Sequence, residues 1–166
     1  MNSTLSAAAF LAELKAETPS TRKCIERISE KTFDFKPHPT SMAMGYLVLL
    51  VAEIPSWITY IIEKGEIDFA TYKHLEPKTN KELVDHFEEN LKGAENSLVN
   101  ATEESLTGNF SLKNKGEILY TSPKMEMIGS TLNHWVHHRG QLTVYMRMKE
   151  IPVPSIYGPS ADDKKY

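Results

Sequence analysis

The residues best equipped for chemistry lie in Asn133 to Gln141, NHWVHHRGQ, which holds three of the chain's six histidines within five positions. If the stretch is helical, residues four apart share a face with Cβ atoms about 5–6 Å apart, so His134 and His138 can turn both imidazoles toward one ion. His137 reaches His134 only as an i, i+3 neighbour, which favours the His134/His138 pair. Two imidazoles suit zinc, nickel, copper or iron, but a helical site needs at least a third ligand from another element. Position 135 is Trp, so the general-base glutamate of an HExxH metalloprotease is missing. The alternative is a hydrogen-bonded pair at a bundle interior or a subunit contact. From this stretch alone both readings stand.

The other candidates are scattered. His38 lies between two prolines, His74 in a polar connection and His86 on an amphipathic segment, and all three are expected to be solvated. Glu53 sits in an apolar run, where a carboxylate costs free energy unless it is paired, hydrogen-bonded, protonated or metal-bound. Arg139 or a lysine from a neighbouring helix is its expected partner, ahead of a metal. Cys24 is the only cysteine; it excludes an internal disulfide, a thiolate cage and a Cys-x-x-Cys pair, and reads as a small apolar filler. No Ser/His/Asp arrangement, phosphate-cradling glycine loop or nucleotide fingerprint is present.

These side chains must be positioned by helices. The 166 residues suit one domain spanning 1–166, and 40% hydrophobic with 25% charged residues is the balance of a globular chain. A net charge of -3 gives no basic stripe, so no nucleic-acid partner is expected. The start, MNSTLSAAAFLAELKAE, lacks the basic region of a secretory signal, and a cytoplasmic location is expected. Ala43 to Ile62 has the length of a membrane span, but Glu53 near its middle and Pro55 after it argue for a buried core helix and against a membrane.

Ser6 to Ser29 has helical spacing interrupted by Pro19, which predicts a kink or a restart with Thr18 as N-cap. Lys36 to Thr40 is a proline-barred linker, after which Ser41 is the predicted N-cap of a second helix running to about Lys64, with Gly65 as its stop. Thr79 opens the clearest amphipathic helix, with Glu82 completing a capping box. Gly108 to Pro123 breaks the periodicity and reads first as a loop; within it NFSLKNKGEILY has a second reading, a short hairpin about Asn114–Gly116. A fourth helix runs from Lys124 to about Lys149 before a proline-rich tail. Four helical segments with almost no convincing strand predict an all-α four-helix bundle, in which sites are built from inward-facing side chains of different helices.

NHWVHHRGQLTVYMRMKEIPVPSIYGPSADD resembles the last helix and tail of the DinB-like family, with its HxxxHRGQ core. The resemblance extends over nearly the whole chain, including the second helix ending AEIPSW and its proline-rich approach. It implies a four-helix bundle, often a homodimer, that holds a divalent metal such as zinc or nickel through three histidines. Two of them match His134 and His138; the third comes from the second helix. Some relatives are thiol-dependent transferases or isomerases.

Aligning AEIPSW places the third ligand at Leu50, which cannot coordinate a metal. Glu53, one turn onward, is the substitute the spacing offers, through a slight helix rotation or a bridging water. The resemblance therefore points to a DinB-like protein with an incomplete metal site, acting as a binding or structural module for an unidentified small molecule. The alternative is a metal-dependent enzyme of the thiol-transferase type.

Overall fold

A computed structural model describes residues 4–164. In chain order the elements are α1 (Leu5–Glu26), a 3-10 turn (Glu30–Thr32), α2 (Met44–Thr59) continuing into a π-helical turn (Tyr60–Lys64), β1 (Glu66–Asp68), α3 (Asn80–Val99), α4 (Glu103–Leu106), β2 (Asn109–Asn114), β3 (Glu117–Pro123) and α5 (Lys124–Met148). Four long helices form the body, with α2 packed against α3 and α5, and α1 against the same two. The apolar segment Met44–Lys64 has the length and composition of a membrane span, but it is the central helix: Leu47, Val48, Val51, Ala52, Ile54, Ile58 and Ile61 are buried in the shared core. An apolar helix covered on most sides is what a bundle interior requires.

The all-α expectation needs correction. β2 and β3 form an antiparallel hairpin, and β1 pairs parallel to β2, giving a three-stranded sheet in the order β1-β2-β3. The hairpin turn places Lys115 (φ 52°) and Gly116 (φ 80°) both in the left-handed region, the geometry whose twist matches the flanking strands. The Asp68 carboxylate accepts hydrogen bonds from the Lys115 and Gly116 amides at 3.0 and 2.7 Å. Thus the residue that ends β1 also braces the hairpin tip. A three-residue strand is too short to carry a periodic signal, and its partner lies 45 positions along the chain, from Glu66 to Ser111.

Two helix starts also differ from expectation. α1 runs unbroken through Pro19, and the Thr18 hydroxyl donates to the Leu14 carbonyl at 2.7 Å instead of capping a new helix. α2 begins at Met44, with Ala43 and not Ser41 at its cap. Its first free amides, of Met44 and Gly45, donate to the Phe35 and Phe33 carbonyls at 2.8 and 2.9 Å. That backbone clasp explains the glycine, because a Cβ on Gly45 would lie 2.8 Å from Phe33 Cβ. The Thr79/Glu82 capping box is present, and Gly65 closes the π-helical turn at φ 74°.

Candidate functional site

The histidines of α5 are positioned by their neighbour Trp135. Pro55 has no N–H, so the Val51 carbonyl four residues earlier in α2 lacks its helical donor. The Trp135 indole fills the gap, donating from Nε1 to Val51 O at 2.8 Å, with its side chain 1% exposed and tilted against Phe87. The adjacent Ala52 carbonyl accepts from Asn90 Nδ2 at 3.0 Å. Both neighbouring helices are therefore tied to α2 at its proline, and the tie fixes how α5 is rolled about its axis. With Trp135 turned into the core, His134 lies beside Trp57 of α2, ring centroids 5.7 Å apart.

His134 and His138 meet as the spacing predicts, their Nε2 atoms 2.7 Å apart. Two imidazole nitrogens held by one tetrahedral zinc at 2.0–2.1 Å would sit roughly 3.3 Å apart. The shorter distance is that of a hydrogen bond between the rings. His138, 7% exposed, is held on its other side by Gln141, Nδ1 to Oε1 at 2.8 Å. A carbonyl oxygen only accepts, so His138 carries its hydrogen on Nδ1 and offers Nε2 as an acceptor; His134 then donates from Nε2. Burial, followed by the neighbouring His138 and His137 rings, pushes the His134 pKa below its ordinary value. Burial does the same for His138, against the opposing pull of Gln141. Both shifts favour the uncharged form of the rings.

His134 lines an open cleft of about 510 Å³ whose other walls include Trp57, Leu112 of β2, Met127, Asn133 and His137. The β2–β3 hairpin, the second of the two readings of this stretch from sequence, thus supplies one wall. His137, demoted on spacing grounds, reaches the cleft and lies edge-on to His138 at 5.2 Å between centroids.

Glu53 is 2% exposed, and its partners are not those expected. Its Oε2 accepts from His74 Nδ1 at 2.6 Å, while Oε1 accepts from the Leu75 amide at 3.0 Å and from His86 Nε2 at 3.3 Å. His74 and His86, expected to be solvated, are the groups that satisfy this carboxylate, and together they clamp the connection before α3 onto α2. Burial opposes ionisation of Glu53, but the bonds from His86, Leu75 N–H and His74 outweigh it and hold the carboxyl below its ordinary range. His38 stays local, bonded to Thr40 Oγ1 at 2.8 Å.

Arg139, named from sequence as a partner for Glu53, serves a different carboxylate. Its guanidinium, 1% exposed, pairs with Glu17 Oε2 of α1 at 2.6 Å. It also donates to Thr21 Oγ1 at 3.0 Å, Ser20 Oγ at 3.1 Å and the Tyr157 hydroxyl at 2.9 Å. This anchor joins α1, α5 and the tail, and sequence reasoning missed it. The available signal was an arginine on the core-facing side of a helix, which must find a carboxylate somewhere. Cys24 is buried, and burial pushes its thiol up to about 11, consistent with an inert filler.

The donor set therefore differs from the three-histidine arrangement that the sequence resemblance implies. His134 and His138 bond each other, position 50 carries a half-buried leucine, and both Glu53 oxygens are committed to His74, His86 and Leu75. Among the described residues no group of three or more His, Cys, Asp or Glu side chains is arranged to hold a metal ion. The residues present do not fit a three-histidine centre.

A sequence model of the DinB family matches residues 1–165. The chain belongs to the DinB family. Among DinB-like proteins of known structure, one from Bacillus subtilis, YjoA, superposes with a TM-score of 0.70 at 19% identity, covering 94% of this chain and 99% of that one. A DinB-like protein from Bacillus cereus ATCC 10987 gives 0.71 at 21% identity, covering 95% and 100%. The YrdA protein of Bacillus subtilis is 22% identical over 158 residues, 93% of this chain and 89% of that protein. These likenesses show that the DinB fold is shared along essentially the whole chain.

Proposed function

We propose that this DinB family member is a small-molecule binding module in which the family's metal centre is reduced to half a site. The reading rests on one observation: the two imidazoles that would share a metal hydrogen-bond each other at 2.7 Å. Leu50 provides no third imidazole, and Glu53 is turned to His74 and His86. What remains beside the pair is the cleft walled by Trp57, Leu112 and Met127, with the size and mixed lining of a ligand site. In this reading zinc or nickel binds weakly, and the chain acts in the cytoplasm as a homodimer. The exposed Ile118, Leu119 and Tyr120 of the outer strand β3 support an association surface.

Elemental analysis of protein purified without an affinity tag tests the metal part, with metal far below one equivalent expected. Near-stoichiometric zinc or nickel that disappears in His134→Ala would overturn it and favour the thiol-transferase type of chemistry. Leu50→His restores the missing imidazole and is expected to raise zinc affinity; unchanged affinity would show that position 50 does not face the pair. Light scattering tests the dimer, and a monomer at all concentrations removes it from the proposal.

A further inference from the structure

The cleft beside His134 has a definite chemical character. Its lining includes Trp57, Leu112, Met127, Asn133, His134 and His137, and no Asp, Glu, Lys or Arg. A charged ligand would lose hydration there without meeting an opposite charge. Two of the lining rings face each other, His134 lying 5.7 Å from Trp57 at 60°, and outside the lining Phe69 tilts against Trp57 at 6.4 Å and 52°. Rings at such distances and tilts form a surface on which another π system packs favourably.

The proton arrangement adds direction. Gln141 fixes the hydrogen of His138 on Nδ1, so His138 Nε2 accepts from His134 Nε2. A His134 ring that donates from Nε2 keeps a lone pair on Nδ1, and among the described residues no donor bonds to that atom. An imidazole acceptor on the wall of an uncharged cleft, whose lining also includes Ser130, Thr131 and Asn133, favours a ligand that donates.

We infer that the cleft binds an uncharged aromatic molecule carrying one hydrogen-bond donor, of the phenol or indole kind, packed against Trp57 and donating to His134. The volume of about 510 Å³ accommodates a molecule of one or two rings. The inference rests on the reading of this cleft as a ligand site and on the metal-free histidine pair, in which His134 Nε2 carries the hydrogen, so the chelated protein is the form to test.

The test uses the full chain, treated with a chelator and checked for residual metal, titrated calorimetrically at neutral pH with three probes of similar size. These are β-naphthol, its methyl ether, which lacks the donor, and β-naphthoate, which is charged. β-Naphthol is expected to bind about tenfold more tightly than either, a factor that corresponds to one hydrogen bond. His134→Phe should erase the advantage of β-naphthol over the ether. Trp57→Leu should weaken β-naphthol and the ether alike, and circular dichroism verifies that both variants are folded. Equal or tighter binding of β-naphthoate, no binding of β-naphthol, or full selectivity in His134→Phe would each overturn the inference. Metal found before chelation bears only on the half-site proposal, so the two can fail separately.

Discussion

The tie between Trp135 and the carbonyl left without a donor by Pro55 can be broken from either end. In Trp135→Phe the Val51 carbonyl, buried and without a donor at position 55, loses its 2.8 Å partner. Leaving such a group unsatisfied costs about 1–3 kcal/mol. The smaller ring removes part of a side chain that is 1% exposed, adding roughly 1 kcal/mol for the space left behind. In Pro55→Ala an N–H is restored four residues after Val51, and the carbonyl regains a helical donor. The same Trp135→Phe change should then cost only the packing part. The predicted coupling energy is therefore about 1–3 kcal/mol, well above the ~0.5 kcal/mol within which independent sites add.

Urea unfolding of the four proteins, followed by far-UV circular dichroism because a tryptophan is altered, measures this directly. For a chain of this length the difference between backgrounds corresponds to about 2–4 °C in Tm per kcal/mol. If Trp135→Phe costs the same with proline or alanine at position 55, the indole is not compensating for the proline. The explanation for how α5 is oriented would then be wrong.

Arg139→Met should destabilise the fold by about 3–5 kcal/mol, since it strands the Glu17 carboxylate against α5 and α1. It should also expose the tail beyond Ile151 to limited proteolysis, and a loss below about 1 kcal/mol with an intact tail would contradict the anchor. Glu53 has a folded-state pKa below its ordinary value, so its contribution is complete above the ordinary carboxylate range and is lost as pH falls through the depressed value. Glu53→Gln should therefore flatten part of the acid limb of the stability curve, and an unchanged limb in urea melts across acidic pH would refute the clamp. Gly45→Ala places a Cβ 2.8 Å from Phe33 Cβ and should cost about 1–3 kcal/mol by thermal denaturation, whereas a neutral result would mean that the 33–35 turn yields easily.

Several local features were legible in the residues alone. HxxxH spacing brought His134 and His138 together, because both lie on one helix and the helical repeat sets their separation. The Thr79/Glu82 capping box and the Gly65 stop were readable for the same reason: donor, acceptor and backbone conformation lie within a few residues of each other. The pattern of HHRGQ with the tail PVPSIYGPSAD pointed to the DinB family, which the family model bears out.

What tertiary structure alone decided were partnerships across long separations. Glu53 had to find donors, and burial in an apolar helix made that need visible in the sequence. Its choice of His74 and His86 over Arg139 depends on which face of α2 meets the connection before α3. Arg139 in turn was claimed by Glu17, 122 positions away. β1, only three residues long, exists because the chain leaving Gly65 passes alongside β2, and the sheet so formed contributes Leu112 to the cleft. Short-range rules govern caps, turns and i, i+4 pairs because those energies are local. The partner of a buried charge is set by packing, which depends on the relative rotation of whole helices and so on every side chain between them.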